Sequence, residues 1–212
     1  MSREDIMNEG GFDSIFDHEP DRLIVLFADE MLEAGLQFPD YDFLTRLMPD
    51  EKEIILPAAL KYYKRAKAER RDDAQNYFLA FFEYEELDEF VPMLVEDFLD
   101  PETWEVVRHS IAECIFSIGS DKYVPDYLRM IEDPTYGYAR QPVLQLLGRL
   151  KDERAIPTLI ALLDDDNACS HALVALSAYR REELRVHFER FLDSDNQAAK
   201  IWAAIAIERL DE

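Results

Sequence analysis

A five-residue phrase returns along this chain: an acidic residue, two variable positions, an aliphatic residue, then proline. It reads Glu53-Ile54-Ile55-Leu56-Pro57, Asp88-Glu89-Phe90-Val91-Pro92, Asp121-Lys122-Tyr123-Val124-Pro125 and Glu153-Arg154-Ala155-Ile156-Pro157. The prolines stand 35, 33 and 32 residues apart, and a fifth copy, Glu183-Leu184-Arg185-Val186-His187, follows 30 residues on with histidine in the proline's place. A period of this size marks a stacked array, whose units bury their apolar faces against one another.

Helix physics explains the phrase. An acid in the first turn favours the positive end of the helix dipole. Proline one turn in gives up an N–H that has no intrahelical partner there. After each proline an apolar stripe runs to an acidic stop, at Asp100, Asp133, Asp164 and Asp193. Asp100-Pro101 and Asp133-Pro134 read as an N-cap followed by proline at the first helical position. Ser194 and Gln197 have capping-box spacing.

A second helix then begins in each unit. Trp104, Val107, Ile111, Ile115 and Ile118 fall at helical spacing, and 136–150, 168–179 and 197–210 carry comparable stripes. Trp104 is thereby expected on the core stripe. Ile160, three residues past Pro157, is expected to face the core. No period-two alternation or hairpin turn signals a strand, and six glycines in 212 residues disfavour a β-rich fold. The expected class is all-α: an array at 51–212, divided near 51–86, 87–119, 120–151, 152–180 and 181–212. Residues 1–50, with a helix near Asp21–Ala34 ending at Gly35, form an expected N-terminal helical cap.

The aliphatic-Pro start, the aspartate between helices and a Val-Arg-type pair in the second helix resemble the HEAT family, in its short-repeat branch typified by bilin-lyase subunits. The pair reads Val107-Arg108, Ala139-Arg140 and Ala199-Lys200, with Ser170-His171 as a degenerate copy. The resemblance is clearest over 88–210. It implies a right-handed α-solenoid of about five two-helix repeats, with first helices outside and second helices inside. It further implies a ladder between the arginines and Asp100, Asp133, Asp164 and Asp193. Tetratricopeptide and ankyrin phrases are absent.

Charge limits the partners. There are 46 acidic and 23 basic residues, a net −23. Lys61–Arg71 holds six Lys or Arg, whereas Asp72–Val107 holds twelve Asp or Glu and no Lys or Arg. A duplex-binding repeat protein such as a helical-repeat DNA glycosylase needs clustered cations, so nucleic acid is excluded as a partner. The expected partner is a basic protein or peptide.

Chemistry-bearing clusters are sparse. His18-Glu19 is a lone pair, too little for a di-iron site, and is read as a solvated loop. Cys169 and His171 point to different faces and lack further ligands. Asp164-Asp165-Asp166-Asn167 lacks the glycine and distal glutamate of a calcium loop, so helix capping explains it better. With no phosphate loop or nucleophile elbow either, no catalytic residue, metal or cofactor is expected. Cys114 and Cys169 are expected reduced and buried in a cytoplasmic protein, and no apolar run reaches the roughly 20 residues of a membrane span.

The candidate partner-binding residues are Tyr136 and Tyr138, which cannot both face the core; Arg108 and Arg140, for which a structural ladder is the stronger reading; Trp104; and Glu85, Glu86 and Glu89 of the acidic stretch. The run Tyr77–Tyr84 is apolar all round and reads as a buried helix. The function expected is a non-catalytic protein-binding scaffold or adaptor, in its sharpest form an inhibitor of a basic partner. The family resemblance implies an alternative, a chromophore (bilin) lyase or isomerase subunit.

Overall fold

The computed structural model describes residues 21–36, 49–83 and 85–212, with backbone alone at 49, 50, 85 and 86. Two compact units divide the chain, Met1–Phe82 and Glu83–Glu212. Every regular element among the described residues is helical.

In the first unit, helix α1 (Arg22–Glu33) starts where the sequence places it. The Asp21 carboxylate accepts the Leu23 N–H at 2.7 Å, and Gly35 follows in the left-handed region. Among the described residues, helices α2 (Pro49–Ala68) and α3 (Asp72–Leu79) follow in this unit. Phe27 meets Phe78 and Phe81 edge-on, at 5.3 and 5.1 Å between ring centroids. The 77–82 stretch is buried at Phe78, Leu79, Phe81 and Phe82, as its all-round apolar pattern requires. The basic island is partly neutralised inside this unit: Arg71 pairs with Asp21 at 2.6 Å and Lys61 with Glu30. Pro57 corrects one expectation. It sits inside α2 rather than near its start, because that helix already opens at Pro49. His18-Glu19 lies outside the described residues.

The second unit holds four helix pairs: α4 (Val91–Leu99) with α5 (Glu105–Ile118), α6 (Val124–Glu132) with α7 (Gln141–Leu150), α8 (Ile156–Ala161) with α9 (Cys169–Ser177), and α10 (Arg185–Glu189) with α11 (Gln197–Asp211). The recurring phrase is here a 3-10 turn that carries the acid and feeds a helix. Val91, Val124 and Ile156 are the first α-helical residues and the proline is the second. Each first helix packs on its own second helix, and the second helices pack in succession, α5 on α7, α7 on α9, α9 on α11.

Burial repeats with the pairs. Val107, Ile111, Ala112 and Ile115 in α5 match Ala139, Val143, Leu144 and Leu147 around α7, then Ala168, Ala172, Leu173 and Leu176 around α9. The arginine position of the third pair is therefore Cys169, not His171. Ile160 is half-buried and its neighbour Leu159 is fully buried, so the α8 phase is set one residue earlier than expected. Gly148 marks the closest approach of two second helices. A Cβ there would lie 2.7 Å from the Ala175 Cα, so side-chain bulk is excluded by backbone. The first two second helices end on a left-handed residue, Gly119 and Lys151, and Arg180 takes the same conformation three residues past α9. No helix among the described residues is long and apolar enough to cross a membrane.

Candidate functional site

The arginine ladder forms, with different partners from those the family resemblance implied. Arg108 Nε donates to the Phe98 carbonyl at 2.8 Å and Nη2 to the Asp100 carbonyl at 2.9 Å. Arg140 Nη1 donates to the Ile131 carbonyl at 3.2 Å, and Nη2 to Asp165 Oδ2 at 2.9 Å. Each guanidinium thus sits at the carbonyl end of its own pair's first helix, where the dipole favours a cation. Arg140 alone also shows a bond to the next pair's carboxylate.

That carboxylate is Asp165, not Asp164. The reason is local geometry: Asp100, Asp133 and Asp165 each accept the N–H two residues ahead, from Glu102, Thr135 and Asn167. Ser194 does the same for Asn196, so it stands at the position assigned to Asp193. Asp164 instead bridges to Arg190 on the surface. The Thr135 hydroxyl and N–H hold the Asp133 carboxyl below its ordinary range, and the charges of Arg140 and Arg108 assist. Cys169 leaves the third rung empty, and burial raises its thiol pKa. Lys200, in the last pair, is exposed.

Arg108 and Arg140 take up the internal ladder contacts that were the stronger reading of them. Arg140 is 0% exposed and Arg108 8%, and their N–H groups are engaged internally. Tyr136 belongs to the same internal cluster. Its ring lies 4.8 Å from the Arg108 guanidinium carbon and 5.1 Å from the Phe98 ring.

Trp104 departs from expectation. The helix begins at Glu105, so Trp104 is an extended N-cap residue outside the apolar stripe, and it is 46% exposed. Val106 and Tyr138 are exposed as well. Glu105, His109 and Glu113 follow at i, i+4 spacing and line one ridge of α5. His109 faces Tyr138 with 5.0 Å between ring centroids, and Glu113 lies 3.5 Å from His109 Nε2. Gly137 brings the 134–140 turn against this ridge: its φ of +50° lets the chain kink there. A Cβ at that glycine would sit 3.6 Å from Glu105 Oε1. The ridge therefore carries one exposed aromatic ring, Tyr138, and two carboxylates, with the exposed Trp104 immediately before its helix and no Lys or Arg among these residues.

The acidic stretch is partly compensated. Asp88 pairs with Lys122 from the next pair, and Asp97 is buried. Glu89 is exposed, whereas the side chains of Glu85 and Glu86 lie outside the described residues. Partial burial, then the like charge of Glu113, raises the Glu83 carboxyl above its ordinary value.

One family model matches this chain: the PBS lyase HEAT-like repeat, over residues 143–165. That segment runs from α7 through α8 to the rung aspartate Asp165. Neither a curated protein nor a solved structure matches the chain.

Proposed function

We propose that this HEAT-like repeat protein is a non-catalytic scaffold that holds a basic protein or peptide on its acidic surface, at the second helices and the acidic stretch around Glu89. One observation carries the reading. The ladder arginines are turned inward while carboxylates and aromatic rings remain outside, which leaves a surface suited to cations. In its sharpest form the protein neutralises its basic partner by occupying the partner's own cationic surface.

The test is affinity capture from the native host, with mass spectrometry, using the wild-type chain and a Glu85→Lys, Glu86→Lys, Glu89→Lys variant. Specific recovery of basic proteins by the wild type, and their loss with the variant, supports the reading. Equal recovery by both chains removes the acidic stretch from it.

A second reading rests on the matched repeat, whose description names a PBS lyase. Under it the chain is a subunit of a chromophore lyase or isomerase. Co-expression with a bilin and its apoprotein decides between the two: covalent attachment that depends on this chain favours the lyase, and unchanged free bilin favours the scaffold.

A further inference from the structure

We propose that the ridge formed by Trp104, Glu105, His109, Glu113 and Tyr138 is a receptor for an arginine side chain of the basic partner. The inference rests on the scaffold reading and narrows it to one surface and one kind of side chain.

The chemistry of the ridge selects the ligand. A guanidinium is planar, stacks on aromatic faces and offers a fork of N–H groups that fits carboxylates. Trp104 and Tyr138 are the exposed rings, and Glu105 and Glu113 lie on the same helical face, two turns apart. Tyr138 packs against His109, with 5.0 Å between ring centroids, a contact that restricts the ring's freedom. Restriction of this kind lowers the entropy lost on binding. The nearby arginine, Arg108, does not occupy the ridge: it points the opposite way, into the Phe98 and Asp100 carbonyls.

The same unit already shows how it binds this group. Arg108 is stacked against Tyr136 at 4.8 Å and lies 5.9 Å from the Phe98 ring, with oxygen acceptors around it. Tyr136 and Tyr138 flank Gly137, whose kink turns one ring to the inner guanidinium and the other to the outer ridge. The outer ring thus stands where an incoming arginine meets an aromatic face beside the Glu105 carboxylate, while Glu113, two turns along, adds negative charge at a distance. A lysine ammonium has no plane to stack and no fork, so the ridge should prefer arginine.

The experiment uses the full chain with Trp202→Phe, which leaves Trp104 as the single tryptophan. The probes are decapeptides of alternating arginine and glycine, and of alternating lysine and glycine. The inference expects a saturable change in Trp104 emission with the arginine probe and at least tenfold weaker binding of the lysine probe. Tyr138→Ala, and separately Glu105→Gln with Glu113→Gln, should each weaken arginine binding at least tenfold while the circular dichroism spectrum is unchanged. Retention of either peptide on immobilised protein, followed in parallel, separates the two levels of the reading. Retention that ignores these substitutions, or that treats both probes alike, overturns the ridge and leaves the basic-partner reading standing. Absence of retention of both probes at low salt overturns both.

Discussion

Arg140 Nη2 lies 2.9 Å from Asp165 Oδ2, with the guanidinium fully enclosed and the carboxylate side chain 18% exposed. The pair joins α7 to the turn before α9. Asp165→Asn keeps an oxygen for the Asn167 N–H but leaves the buried cation without its counter-charge. The expected loss is about 2–3 kcal/mol, less than for a wholly buried pair because water reaches the aspartate. Asp164→Asn, which touches an exposed bridge, should stay within about 1 kcal/mol. Urea unfolding of both variants checks the contrast. Equal losses would return the rung to Asp164.

Leu159→Ala should cost about 2–5 kcal/mol, since the side chain is fully buried. Ile160→Ala should cost less, because its side chain is half-buried. Thermal melts of the two variants test the α8 phase, and a reversed order would contradict it.

The repeat period and the place of each helix pair in the second unit were legible because proline and acid recur there at fixed offsets, which local helix physics demands. Asp21 and Gly35 likewise announced α1 at both ends. Phase was less legible. Trp104 sits at a spacing that fits the stripe, yet the helix starts one residue later and leaves it outside. The rung aspartate was one residue off in the Asp164–Asp166 run, since three adjacent acids carry no signal of which one closes the turn. The ridge was half-visible: Tyr138 and Trp104 stood out as aromatic, but its pairing with His109 and Glu105 depends on the Gly137 kink, which no periodicity encodes.

Gly148→Ala should destabilise by about 1–3 kcal/mol, as for an overpacked core, because a Cβ meets the Ala175 backbone at 2.7 Å. Lys151→Gly should move the other way, by up to about 1 kcal/mol. Lys151 is held in the left-handed region, where a side chain costs about 1–2 kcal/mol and the greater freedom of unfolded glycine takes part of that back. Chemical denaturation of each variant reads both signs.

Bonds from the Arg154 side chain and N–H pull the Asp152 carboxyl down to about 2 from an ordinary 3.8. A depressed carboxylate contributes stability above its unfolded pKa and loses it as pH falls. The wild type should therefore lose stability between pH about 4 and 2, and Asp152→Asn should flatten that part of the profile. Melting temperatures across the acid range check it; an unchanged slope would contradict the assignment.

The scaffold reading depends most on whether the chain's acidic residues recruit a basic partner. Affinity capture from the native host at low and at physiological salt, with the isoelectric points of the recovered proteins read by mass spectrometry, measures this directly. Exposed charges are screened beyond about 8 Å at physiological ionic strength. The account predicts that basic proteins are retained at low salt, released as salt rises, and lost on reversing Glu85, Glu86 and Glu89 to lysine. Retention of neutral or acidic proteins, indifferent to salt and to that reversal, would contradict it.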